Sequence, residues 1–198
     1  MRAAALLSCA MIAAAAHHAA AQQPARNAPP RNFASASITG FLDFDRVPDE
    51  SGTWSFGAAI GAGAGYHRLV GSGLFLGVDV TYSRPSYDVV EVADTLSGTA
   101  NIITTLLSAR LRYGGLATLG SYITGGAGAF TYGLGELEDE WDTDFALYAG
   151  AGLEYFFSPK RGLFLEWGRY WTFHGQEGVS EDATPKHSQL RVGGRFAF

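Results

Sequence analysis

Acidic side chains concentrate in one short stretch of the sequence, where their spacing could hold a divalent cation. Carboxylate oxygens are the ligands that Ca²⁺ and Mg²⁺ prefer. The stretch lacks the central glycine of a complete calcium-binding loop, so we predict no metal site and no cofactor. A solvated loop and a loop bridged by divalent ions to anionic lipid headgroups both stay open. The residues concerned are Glu136, Glu138, Asp139, Glu140, Asp142 and Asp144.

His174 is the second feature that could do chemistry, as a general base. It follows Arg169 and Tyr170, and it resembles the rim histidine of lipid A deacylases, which are eight-stranded barrels with a serine two positions later. Position 176 is glutamine here, so the nucleophile of that pattern is missing. We therefore predict no catalytic residues and no enzyme, and keep a lipid A-modifying hydrolase as an alternative.

The elements around these residues are predicted from the alternation of apolar and polar residues. In Ser188–Phe198, one parity carries Leu190, Val192, Phe196 and Phe198, and the other carries Gln189, Arg191 and Arg195. A period of two indicates a strand with one apolar face. The same pattern predicts seven further strands, at about 37–45, 53–69, 74–84, 102–113, 121–132, 144–157 and 162–172.

The connections between these strands alternate between long and short. Residues 85–100, 133–143 and 173–186 form long predicted loops, whereas 70–73, 114–120 and 158–161 form short turns. Aromatic residues predicted to point outward fall near both strand ends, as in membrane-spanning barrels. We predict one such group at Tyr66, Tyr113, Tyr155, Phe157 and Phe198, and the other at Phe44, Trp54, Phe56, Tyr82 and Trp171.

The chain resembles the small outer-membrane β-barrels of the OmpA-barrel and OmpX kind over Ser37–Phe198. The matching pieces are Gly126-Ala127-Gly128, Gly150–Tyr155, Leu163–Glu166 with Arg169-Tyr170, and Arg195–Phe198. The resemblance implies an all-β, eight-stranded, antiparallel up-and-down transmembrane barrel in the cell outer membrane. It also implies that the barrel-insertion machinery reads Phe196 and Phe198, and that lipid and lipopolysaccharide surround the barrel.

Charged residues on the inward parity are predicted to pair with one another. An eight-stranded barrel is just wide enough for side chains to fill it, and unpaired buried charges are costly. We predict pairing of Asp79 with Arg110, and of Glu166 with Arg191 or Arg195. A packed polar core is the preferred interpretation, and a narrow gated channel is the alternative. The predicted network comprises Asp43, Asp79, Arg110, Arg112, Glu154, Glu166, Arg191 and Arg195.

The amino-terminal segment predicts export. Residues 1–21 combine an early arginine, a short apolar core and a final run of three alanines, the pattern of a cleaved signal peptide. Residues 22–36 are polar and contain three prolines, so we predict a lead-in before a barrel domain at 37–198. Cys9, the only cysteine, lies within the predicted signal.

Composition limits the function further. The formal net charge is −5 and no Lys/Arg-rich patch occurs, which argues against nucleic acid as a partner. No internal apolar run is long enough for a transmembrane helix. We predict a monomeric barrel with a structural or surface-interaction role, which displays external loops to a ligand and is not an open porin.

Overall fold

The computed structural model describes residues 31–44, 47–49, 52–90, 95–113, 119–133, 141–173 and 186–198. Within them no helix is long and apolar enough to cross a membrane. The regular elements are all strands: β1 (Asn32–Phe44), β2 (Val47–Asp49), β3 (Gly52–Phe56), β4 (Ala59–Leu69), β5 (Leu74–Ser83), β6 (Ser86–Val90), β7 (Thr95–Thr99), β8 (Asn101–Tyr113), β9 (Leu119–Gly133), β10 (Trp141–Ser158), β11 (Arg161–Phe173) and β12 (Lys186–Ala197).

Eight of these strands form a closed antiparallel barrel, which confirms the predicted fold. Their order around the barrel is β1-β12-β11-β10-β9-β8-β5-β4, and β4 returns to β1. The first and last strands close the ladder from Phe33 opposite Ala197 to Phe44 opposite His187. Every barrel strand therefore has a hydrogen-bonded neighbour on both sides, and no edge remains.

Alternation decides which side chains fill the interior. In β8, Leu106 is 1% exposed while the adjacent Leu107 is 71% exposed. The apolar parity thus faces outward and the mixed parity faces inward, the reverse of a soluble sheet that packs its apolar face on a core. The facing of β9 could not be assigned from its glycines and alanines. Tyr122, Thr124 and Phe130 point inward, and Ile123 points outward.

Four short strands form a separate sheet at one end of the barrel, in the order β2-β3-β6-β7. This corrects two predictions. The strand predicted at 53–69 divides after Phe56 into β3 and β4, and the loop predicted at 85–100 contains β6 and β7. The two hairpins stabilise each other by pairing β3 with β6, and they bury Tyr87, Val89 and Ala100.

The strand boundaries also differ at the start of the barrel. β1 begins at Asn32, within the segment predicted as a lead-in before position 37. Phe33 is buried there and packs against Phe75 and Phe156, because neighbouring strands bracket this segment on both sides. The sequence did not predict this part of the strand, because the alternating alanines and serines at 34–37 differ little in polarity.

Both described chain ends lie at the same end of the barrel, here called the terminal end. The Phe198 amide donates to the Asn32 carbonyl over 3.1 Å. The turn between β4 and β5 lies at this end, and Gly73 in it adopts a φ of 80°, a conformation that favours glycine. The carbonyl of Gly73 accepts from the Arg112 amide over 2.9 Å, which fixes the turn to β8.

Exposed aromatic side chains surround the barrel at both ends of its outer surface. At the terminal end they are Tyr66, Tyr113, Tyr155, Phe157, Phe196 and Phe198, and at the opposite end Tyr82, Trp141, Phe145 and Phe173. Trp171 is half-buried. Phe56 is also half-buried and packs against the buried residues of the small sheet, so its predicted position on the outer surface of the barrel is wrong. The side chains of Phe44 and Trp54 lie outside the described set.

We predict that Gly128→Ala destabilises the barrel and that Gly125→Ala, on the same strand, does not. A Cβ at Gly128 would lie 2.0 Å from the Thr105 carbonyl oxygen, whereas at Gly125 the nearest atom is 3.6 Å away. Overpacking of this kind costs about 1–3 kcal/mol. Urea unfolding in lipid vesicles measures the difference, and equal stability of the two variants would contradict the packing.

Candidate functional site

Glu166 is the centre of the interior polar cluster. It lies in the middle of β11 and is fully buried. Its carboxylate accepts from Arg110 Nη2 at 3.2 Å and from Arg191 Nη1 at 3.1 Å. The hydroxyls of Tyr122 and Tyr148 each donate to it over 2.8 Å. Four donors from four other strands therefore converge on one carboxylate, which compensates its removal from water.

Asp79 on β5 forms the second carboxylate of this cluster. Arg191 Nη2 lies 3.1 Å from Asp79 Oδ1, so one guanidinium bridges Asp79 and Glu166. The Ser108 hydroxyl donates to Asp79 Oδ2 over 2.7 Å, and His67 Nε2 lies 3.1 Å from the same oxygen. We call His67, Asp79, Ser108, Arg110, Glu166 and Arg191, with Tyr122 and Tyr148, the central cluster.

A smaller group lies closer to the terminal end. Glu154 on β10 forms ion pairs with Arg112 on β8 and Arg195 on β12. The Arg195 guanidinium also stacks 4.4 Å from the Tyr122 ring centre, and Arg110 stacks on the same ring at 4.6 Å. Tyr122 thus separates two arginines by an aromatic ring that attracts both.

The predicted interior residues are mostly brought together, with one change of partner. Glu166 meets Arg191, one of the two arginines expected to pair with it, and the other, Arg195, pairs with Glu154. Asp79 pairs with Arg191 rather than with Arg110. The register explains this, because Leu106, not Arg110, lies opposite Asp79 on the neighbouring strand. Asp43 belongs to β1, but its side chain lies outside the described set.

Sequence reasoning missed the members of the cluster other than arginines and carboxylates: His67, Ser108, Tyr122 and Tyr148. Their inward parity was a usable signal for His67, Ser108 and Tyr148. It could not be read for Tyr122, since β9 is dominated by glycine and alanine around it.

Apolar clusters close the interior on both sides of these polar groups. Phe33, Phe75, Phe156 and Ala197 pack together at the terminal end. Towards the opposite end, Ile102, Leu106, Phe130, Ala146, Tyr148 and Tyr170 form a larger cluster. The His187 ring stacks on Tyr170 with centres 4.6 Å apart and also contacts Phe41 and Phe130. The interior therefore alternates between apolar, charged and apolar layers.

His67, Ser108 and Asp79 have the residue types of a hydrolase triad but not its geometry. In such a triad the serine and the acid contact different nitrogens of the histidine. Here the same atom, His67 Nε2, faces both Ser108 Oγ at 3.0 Å and Asp79 Oδ2 at 3.1 Å. The serine hydroxyl also donates to the acid, and all three residues are buried. The arrangement neutralises charge and presents no nucleophile to a substrate.

The candidate cation ligands and the candidate catalytic histidine lie mostly outside the described residues. Glu138, Asp139, Glu140 and His174 belong to that undescribed set, together with Glu136. Asp142 and Asp144 lie at the start of β10 and are half-buried. Among the residues the structure describes, no group of three or more His, Cys, Asp or Glu could hold a metal ion.

A closed eight-stranded barrel with an apolar, aromatic-ringed outer surface and a charged, filled interior defines a transmembrane β-barrel. The sequence matches the family described as outer membrane protein beta-barrel domain over residues 4–196. The chain belongs to this family, and its location is the outer membrane. Short turns in this class face the periplasm, so the terminal end is periplasmic.

Solved structures with the same fold support this assignment. Neisserial surface protein A is 14% identical, with a TM-score of 0.60 over 84% of this chain and 97% of its own. OprG from Pseudomonas aeruginosa is 11% identical, with a TM-score of 0.59 over 86% of this chain and 96% of its own. Ail of Yersinia pestis, in complex with the heparin analogue sucrose octasulfate, is 15% identical, with a TM-score of 0.50 over 86% of this chain and 100% of its own. No curated protein sequence matches.

We predict that Glu166→Gln lowers the free energy of unfolding by about 3 kcal/mol, because it leaves Arg110 and Arg191 without their shared countercharge. Urea titration in lipid vesicles, followed by tryptophan fluorescence, measures the change. Asp88→Asn is the matched control: this carboxylate accepts from Ser97 over 2.7 Å at an exposed site. Its effect is expected within about 0.5 kcal/mol. Equal effects of the two substitutions would show that the central cluster is not a compensated charge network.

Proposed function

We propose that the protein is a closed, non-enzymatic, monomeric barrel that spans the outer membrane and presents its external segments to the cell surroundings. The observation that carries this proposal is the filled interior. Arg191 and Arg195, two of the largest side chains, are each 2% exposed inside the barrel. A water-filled pore would leave such guanidiniums hydrated.

The central cluster supports a structural role rather than a gate. A gated ion path needs a charged group that can move away from its partners. Glu166 is instead fixed by four donors, and Arg191 is shared between two carboxylates. Breaking these contacts inside a low-dielectric interior would leave several charges uncompensated at once.

The alternative, a lipid A-modifying hydrolase, has less support. Its pattern calls for a serine two positions after the rim histidine, and the sequence has Gln176 there. The buried His67-Ser108-Asp79 group cannot replace it, because each of these residues is at most 5% exposed. A substrate on the membrane surface could not reach the Ser108 hydroxyl.

The external surface favours cationic or cation-bridged partners. The segments between strands at the external end contain most of the carboxylates of the chain, including Glu136, Glu138, Asp139 and Glu140. Such a surface repels polyanions, so a ligand like the sulfated sugar bound to Ail is not expected here. Lipopolysaccharide phosphates would need divalent ions between them and these carboxylates.

During assembly, exposed Phe196 and Phe198 are the residues that we assign to recognition by the insertion machinery.

We predict that the purified protein in a planar lipid bilayer shows no stepwise conductance, and that Glu166→Ala leaves the bilayer equally silent. The apolar clusters on both sides of the charges still seal the interior in this variant. A porin of known conductance, added to the same bilayer, is the positive control. The folded state of the variant is checked by its gel mobility with and without boiling.

Stepwise currents from the wild-type protein that change in Glu166→Ala would contradict the proposal. They would favour the narrow gated channel, since the current would then depend on the central carboxylate.

A further inference from the structure

The periplasmic end of the barrel is basic. By sequence, residues 67–73, 113–121 and 157–163 contain no aspartate or glutamate. Arg31, Arg68, Lys160 and Arg161 are all exposed there. Apart from the buried interior carboxylates, the acidic residues of the chain fall in or beside the segments at the external end. The protein is therefore basic at the periplasmic surface of the membrane and acidic at the external surface.

Two of the periplasmic arginines line the same pocket. Arg31 and Arg68, with Ser72 and the adjoining turn, surround an open pocket of about 510 Å³. The Leu69 amide donates to the Arg31 carbonyl over 2.7 Å, which holds the two arginine-bearing segments side by side. Among the described residues that line the pocket there is no aspartate or glutamate, and guanidinium groups only donate hydrogen bonds. This lining suits an anion with several acceptor oxygens.

Exposed aromatic residues place the pocket at the depth of the lipid headgroups. Asn32 lies opposite Arg68 in the register of β1 and β4, and its amide oxygen accepts from the Tyr66 hydroxyl over 3.0 Å. The Tyr66 ring is 6.3 Å from that of Phe198, and both face outward. Such rings settle at the boundary between acyl chains and headgroups. A lipid whose anionic headgroup lies in the pocket could therefore place its acyl chains against these rings.

We propose that the pocket between Arg31 and Arg68 binds the phosphate of an anionic phospholipid headgroup in the periplasmic leaflet. Arginine forks match phosphate oxygens in pairs, and the serine hydroxyl and apolar Leu69 and Val70 suit the polar and carbon parts of a glycerol headgroup. A free phosphate ion shares the anion chemistry. It lacks the acyl chains that would pack on Tyr66 and Phe198, so the lipid is the favoured occupant.

Native mass spectrometry of the purified full chain tests this proposal. The protein is equilibrated in detergent with equimolar phosphatidylglycerol and phosphatidylcholine, and the ratio of the two single-lipid adducts is measured. We expect the wild type to favour phosphatidylglycerol. Each of Arg31→Gln and Arg68→Gln should lower the ratio roughly fivefold, and the double variant more than either. Gel mobility with and without boiling verifies that each variant is folded.

The matched control removes the same charge from another periplasmic turn. Lys160→Gln with Arg161→Gln should leave the ratio close to that of the wild type. An equal fall in this control would show diffuse attraction by the basic end and overturn the proposal. An unchanged ratio in the Arg31 and Arg68 double variant would also overturn it.

Inorganic phosphate distinguishes the two sources of the anion. Added at millimolar concentration, it should leave most of the phosphatidylglycerol adduct in place, because the acyl chains contribute to binding. Complete displacement would mean that the pocket recognises phosphate alone, and the assignment to a lipid would be wrong.

Discussion

The closed hydrogen-bond ladder is the constraint on which the rest of this structure depends. Lipid offers no partner for an amide or a carbonyl, so each strand that crosses the membrane must be paired on both sides. The pairing of β1 with β12 supplies the last contact, from Phe33 opposite Ala197 to Phe44 opposite His187. Once the ladder is closed, the alternation of side chains leaves one parity in contact with lipid and confines the other to a narrow interior.

Confinement explains why the interior is both charged and filled. Among the described residues, four arginines and three carboxylates are buried inside the barrel, and each of these arginines has an acidic partner. Burial makes an unpaired charge costly. Glu166 and Asp79 therefore share Arg191, and both carboxylates also contact polar side chains: Tyr122 and Tyr148 at Glu166, and Ser108 and His67 at Asp79. The aromatic clusters above and below these groups keep water away from them. The stability of the barrel and the filling of its interior are thus consequences of the same packing.

The sequence was sufficient for the barrel but not for its details. Alternation of apolar and polar residues, as in Leu107-Ser108-Ala109-Arg110, predicted the strands and the inward position of Arg110 and Glu166. Glu166 lies directly opposite Arg191 on the neighbouring strand, but the partner of Asp79 could not be predicted, because Arg191 reaches Asp79 across the interior from a strand that does not pair with β5. Glycine and alanine carry little polarity, so the facing of β9 and the early start of β1 stayed hidden. The small sheet was missed because β3 pairs with β6, which follows it only after β4 and β5, and local alternation does not show such a pairing.

The most direct test of this account compares two adjacent leucines that differ only in the side of the barrel they face. Leu106→Cys and Leu107→Cys are spin-labelled in a chain in which Cys9 is replaced by Ser, and their accessibility to oxygen and to a polar nickel complex is measured in lipid bilayers. The account predicts that the label at position 107 meets oxygen freely, as lipid-facing groups do, while the label at position 106 is shielded from both reagents. Equal accessibility at the two positions, or access of the nickel complex to position 107, would contradict a lipid-facing apolar parity.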